Sequence, residues 1–168
     1  TYNWIFYRLA DVMLMKAEAL VEQMIEKPTT KADSAYNEEL RQPAFYLAAT
    51  LNMRSCMVSS KYLQIADQSY QSKSGMQDLV QTERRKELMF EGKRWFDLVR
   101  YARRKGTIKD LAAAVKPKFD SGTGSSVLPN MESLFWPYNK EEVKRNTLLE
   151  QKPYWNSLEG SETTQTTL

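Results

Sequence analysis

The 168-residue sequence has no histidine. That removes Ser-His-Asp and Cys-His catalysis, HExxH zinc sites and histidine proton shuttles. A single cysteine, Cys56, leaves no internal disulfide and no thiolate zinc cluster. Only six glycines occur, and none is spaced as G-x-G-x-x-G or G-x-x-x-x-G-K-[ST], the cradles for dinucleotides and phosphates. The longest uncharged stretches still contain Thr, Asn, Gln or Pro, so none reads as a membrane span. The sequence opens on Thr1, already inside an amphipathic pattern and without a secretion signal. It is therefore read as a piece of a longer protein, in which missing targeting signals carry no information.

What is present is ordinary for a globular chain, with 42% hydrophobic and 27% charged residues. The length predicts one domain, drawn as residues 1–156, with a Thr/Ser/Glu-rich disordered tail at 157–168. Net charge is +3, but residues 81–118 hold 12 Lys/Arg against 5 Asp/Glu while the rest holds 12 against 16. A basic segment of this kind can meet nucleic acid. Here Arg and Lys interleave with Glu, which favours a solvated helix and charged loop, and no nucleic-acid partner is expected.

Helical periodicity dominates, and the fold class it predicts is all-α with long irregular loops. Tyr2, Ile5, Phe6, Leu9, Val12, Met13, Ala17, Leu20 and Met24 step by three and four, predicting a helix over 2–27 stopped by Pro28. Residues 31–41 are polar and add at most a turn or two. Pro43 then suits the first turn of a second helix towards Cys56, with Ala48 and Ala49 allowing close approach. The two helices form one tetratricopeptide-like hairpin, with no 34-residue repeat following. A long third helix is predicted over 76–105, stopped by Gly106. On its wheel, centred on Leu88, Arg84 and Glu91 share the packed face, where each needs a fixed partner. Beyond it lie a loop over 107–131 with a helical hint at 110–115, a short helix near 140–145, and an extended segment over 148–155.

Carboxylate pairs are the only acid–base machinery left: Asp11 and Glu18, or Glu83, Glu87 and Glu91. Arg and Lys three or four positions away mark them as ion pairs, and no enzyme activity is expected. The Gly122-x-Gly124 pair is too weak a pattern for a phosphate cradle, and no metal or other cofactor is expected. Trp136, Tyr138, Tyr154 and Trp155 are the more informative group, because no single helix face buries them all. Polar-edged aromatic rings suit the C–H-rich faces of sugars, making Trp136, Tyr138 and Trp155 the candidate ligand-binding residues. The competing reading has Phe135 and Trp136 plugging the helical core while Tyr154 and Trp155 pin the closing segment.

Three blocks together resemble the SusD/RagB family of Bacteroidetes surface nutrient-binding lipoproteins. Tyr7 to Leu20 (YRLADVMLMKAEAL) is similar to that family's Y-R-L-A-D-V-x-L-x-x-A-E-A-L helix. Glu83 to Arg100 (ERRKELMFEGKRWFDLVR) resembles E-R-x-x-E-L-x-F-E-G-x-R-W-x-D-L-x-R. Leu134 to Val143, with Asn146, Leu149, Gln151, Pro153 and Tyr154, resembles the closing L-F-P-I-P-x-x-E-I…N-x-x-L-x-Q-N-P-G-Y, and Asn52 and Arg54 match an N-x-V-R stretch. Trp136-Pro-Tyr138 departs from P-I-P, and Lys152 with Trp155 departs from the Q-N-P-G-Y ending.

The resemblance implies the C-terminal helical region of a non-catalytic, surface-exposed outer-membrane lipoprotein. Such a protein captures oligosaccharides, or peptides in some members, and hands them to a SusC-like TonB-dependent transporter. The membrane would be touched only through an N-terminal lipid anchor outside this chain. It implies no catalytic residues and transfers no ligand contacts. Arg84, Glu91 and Arg94 are expected to lock helices through charge-assisted bonds. Glu91→Ala is then expected to strand a buried arginine. A helical-repeat scaffold for protein–protein interaction is the alternative.

Overall fold

Alternating small and large apolar residues let three helices pack closely in the first half of the chain. These are α1 (Leu9–Gln23), α2 (Lys31–Ser55) and α3 (Lys73–Glu87), each in contact with the other two. The computed structural model describes residues 6–56, 65–118, 128 and 130–162. Further along lie α4 (Arg94–Lys105), α5 (Lys109–Val115), α6 (Lys140–Arg145) and α7 (Pro153–Glu162), with 3-10 turns at Asp67–Ser69, Lys116–Lys118 and Glu132–Leu134. Among the described residues there are seven α-helices and no strand, so the chain is all-α. The backbone divides into two units, Thr1–Trp95 and Phe96–Leu168.

In the first unit Ala17 of α1 and Ala44 and Ala48 of α2 are fully buried, and Val21, Met76, Leu79 and Val80 close the core around them. Ala44 takes the place expected for Ala49, which is half-buried. Leu14 packs with Ala10 and Leu51 in a smaller cluster. Each large apolar side chain buried this way stabilises the fold by roughly 1.5–3 kcal/mol. The buried face of α1 runs through Ala10, Asp11, Leu14, Ala17, Glu18 and Val21, whereas Leu9 and Val12 of the expected stripe are exposed. The helix is rotated from the purely apolar reading because Asp11 and Glu18 must face inward. Residues 1–5 of the expected first helix lie outside the described residues.

The α1–α2 turn is tied by side chains. Asn37 accepts from the Ile25 backbone N–H at 2.7 Å and donates to its carbonyl at 2.9 Å. Lys73 donates to the carbonyls of Glu22 and Met24 at 2.8 and 2.7 Å, a cation on the orphan acceptors that end α1. Thr30 and Asp33 form a reciprocal cap at 3.0 Å in both directions. That cap starts α2 at Lys31, so residues 31–41 belong to it and Pro43 lies inside the helix rather than in its first turn. Proline costs a hydrogen bond there, and the tertiary contacts of Arg41, Ala44 and Ala48 outweigh it.

The predicted long helix is two helices. After α3 the chain turns through Phe90 (φ 68°) and Gly92 (φ 71°) before α4 begins. Leu88 stays buried while Phe90 projects outward, 97% exposed. The left-handed conformation costs a β-carbon-bearing residue roughly 1–2 kcal/mol, so this break is imposed by contacts elsewhere in the turn. The stop at Gly106 is as expected: Gly106 N–H reaches Arg103 O at 3.3 Å and Thr107 N–H reaches Ala102 O at 3.2 Å, a Schellman motif.

In the second unit Ala102, Leu111, Leu128 and Leu134 are buried. Residues 153–155, expected as extended, and 157–162, expected as tail, are helical in α7 because Pro153 presets its first turn. Residues 163–168, and the Gly122-x-Gly124 pair, lie outside the described residues.

Arg41, 3% exposed, gathers Glu38 at 2.7 Å and Asp67 around its guanidinium. Its hydrogen bonds, with a smaller contribution from Gln42, hold the Glu38 carboxyl at about 2 against an ordinary 4.5. Because the folded value is depressed, the stability from this pair is complete above pH 4.5 and is lost as pH falls towards 2. The thermal midpoint is expected to fall across that window, and Glu38→Gln to flatten the part of the slope that the pair contributes. An unchanged slope in the variant would contradict this.

Candidate functional site

Two constellations carry chemistry: a buried ionic layer in the first unit and an aromatic cluster in the second. Arg84 of α3 is 3% exposed and Asp11 of α1 is 1% exposed. Arg84 Nη1 lies 3.2 Å from Asp11 Oδ1, and its Nε 3.9 Å from Glu18 Oε2. Lys93, in the turn before α4, completes the charge balance by bonding Asp11 and also donates to Phe6 O at 2.9 Å.

The layer continues through Glu87, which receives Arg8 at both its carboxylate and its carbonyl, and Arg54 from α2. Burial pushes the Glu87 carboxyl up, and the bonds from Arg54 and Arg8 more than reverse it, leaving it below the usual range. Hydrogen bonds to Glu91 and then Glu87 raise the Arg8 guanidinium in turn. Glu83 takes the Asn52 amide at 3.4 Å and Lys86 at 2.7 Å. A cleft of about 280 Å³ beside these groups is lined by Asn52, Ser55, Cys56, Glu83, Lys86 and Glu87.

The expected structural ion-pair residues are thus placed differently from one another. Arg84 lies on the packed face. Glu91 does not: the break after α3 removes it from the wheel, its side chain is 32% exposed, and it pairs with Arg8 at 2.7 Å and Lys93 at 3.8 Å. Arg94 donates to Gln81 Oε1 at 3.2 Å. The partners of Arg84 come from α1, and sequence reasoning missed that link, although Asp11 and Glu18 stand in the first shared block. Every carboxylate weighed for acid–base chemistry has a cation beside it, the arrangement of helix-joining ion pairs.

In the second unit Trp136, Tyr138 and Trp155 belong to two stretches of chain that hydrogen bonds tie together. The Trp155 indole N–H donates to Phe135 O at 2.7 Å, and Tyr154 meets the Trp155 ring edge-on with centroids 5.0 Å apart. Buried Gln151 clamps the Tyr138 backbone, accepting from its N–H and donating to its carbonyl at 3.0 Å each. Lys152 donates to Trp136 O at 2.7 Å and lies 5.0 Å from the Tyr138 ring centroid. The packing reading is realised in part. Trp155 pins the segment, as the packing alternative has it, but Trp136 plugs nothing and stands 81% exposed.

A turn with left-handed Phe90 and Gly92, an Arg84–Asp11 link between two helices and a glutamine-clamped closing segment mark an all-α scaffold. The SusD family model matches residues 1–155, and the chain belongs to the SusD family. Searches of curated proteins and of solved structures return no match. Membership implies a glycan-binding role at the outer membrane, without catalysis.

Asp11→Ala removes the buried carboxylate that Arg84 and Lys93 share, and is expected to cost about 3–5 kcal/mol in urea unfolding. Glu91→Ala, at a more exposed site, should cost less than about 1 kcal/mol. Equal losses for the two variants would contradict the division between buried and exposed pairs.

Proposed function

We propose that this chain serves a surface-exposed lipoprotein that captures nutrient oligosaccharides and delivers them to a SusC-like TonB-dependent transporter at the outer membrane. The observation that carries this reading is the family match across residues 1–155. The ionic layer supports it by its chemistry: paired carboxylates hold helices and leave ligand capture to binding surfaces. Trp136, exposed on a segment that Lys152 and Trp155 tie down through its backbone, supplies such a surface. An exposed indole on a hydrogen-bonded backbone offers a rigid apolar face at little entropic cost. Transfer of the bound sugar needs no covalent step, only weaker binding here than in the transporter.

The test is co-purification from detergent-solubilised outer membranes using the tagged native protein. A TonB-dependent transporter recovered in near-equal amount is expected, and a protein found only in the soluble fraction without such a partner would overturn the reading. Trp136→Ala is expected to lower oligosaccharide affinity about tenfold or more while leaving the thermal midpoint unchanged. Unchanged affinity would remove Trp136 from the site.

A further inference from the structure

The closing segment folds back on the residues around Trp136. Lys152 bonds the Trp136 carbonyl at 2.7 Å and covers the Tyr138 ring. Two cations flank one ring here: Arg103 lies 5.8 Å and Lys152 5.7 Å from the Phe135 centroid. Among the described residues no carboxylate pairs with either cation. Elsewhere in this unit Lys105, Lys144 and Arg145 face Asp110, Glu141 and Glu142, while Lys109, Lys116 and Lys118 stand, like these two, without a carboxylate among the described residues but without their contacts to an aromatic ring.

We infer that the Trp136 cluster selects acidic oligosaccharides, those carrying carboxylates on the sugar ring. The inference rests on the glycan-binding reading and adds the substrate class. The exposed indole takes the apolar face of one pyranose. Arg103 presents a planar fork that matches a carboxylate bidentately. Lys152 spends one of its three donors on Trp136 O and keeps two for the ligand. A neutral sugar would leave both cations without a counter-charge, so it gains only the stacking contact.

The experiment is calorimetric titration of the intact chain with an α-linked oligogalacturonate and with a maltooligosaccharide of equal length. The uronate is expected to bind more tightly. Its affinity should fall as salt rises from about 0.01 M to about 1 M, which shortens the screening length from roughly 30 Å to 3 Å. Arg103→Gln should weaken uronate binding roughly three- to tenfold with helicity by circular dichroism unchanged. Lys152→Gln should do the same, and the arginine variant guards against local disturbance from losing the bond to Trp136 O. Equal binding of both sugars, or preference for the neutral one, would overturn this inference and leave the glycan-binding reading standing. Binding of neither by a folded chain would overturn both. Loss of transporter co-purification in Trp136→Ala, with uronate affinity intact, would assign the surface to protein docking and also overturn it.

Discussion

A guanidinium with almost no access to water must be neutralised where it lies, and Arg84 is neutralised by another helix. Asp11 and Glu18 sit two turns apart on α1, so one arginine on α3 spans both. The desolvation of three charges is recovered only if all three are held in place. That requirement fixes the rotation of α1, whose buried face includes two acids and leaves Leu9 and Val12 outside. It also accounts for Lys93, which brings a second cation to Asp11 from the turn after α3.

The turn itself follows from the same constraint. A straight continuation of α3 would place Glu91 on the Leu88 face. The left-handed steps at Phe90 and Gly92 instead direct Glu91 to Arg8 and Lys93 to Asp11. Glycine meets no steric cost at φ 71°, whereas phenylalanine at φ 68° pays one and buries nothing. The three shared blocks therefore read as instructions for joining elements. Arg8, Asp11, Asn52, Arg54, Glu83, Arg84 and Glu87 tie α1, α2 and α3 together, while Asn146, Gln151 and Pro153 shape the closing segment.

Much of this was legible in the sequence, and the failures have two causes. Helix periodicity, the Gly106 stop and the short α5 and α6 helices depend on local chemistry and are visible in the sequence directly. The fold class followed from them. The rotation of α1 and the break within residues 76–105 escape such a reading because each is set by a partner distant in sequence, and the helix over residues 31–41 because its Thr30–Asp33 cap precedes a stretch with little apolar periodicity. Periodicity sees apolar spacing and is blind to an acid that is buried for the sake of an arginine 73 positions away. The aromatic candidates stand out in the sequence because no single helix face can cover them all. Nothing local announced that Gln151 would clamp Tyr138 or that Lys152 would reach back to Trp136.

The most direct measurement is a double-mutant cycle on Asp11→Ala and Arg84→Met, read by urea unfolding of both single variants and the pair. A coupling of about 2–3 kcal/mol is expected, with the pair less damaging than the sum of its parts. Additive losses, with coupling near zero, would contradict the dependence of the helical scaffold on this buried link.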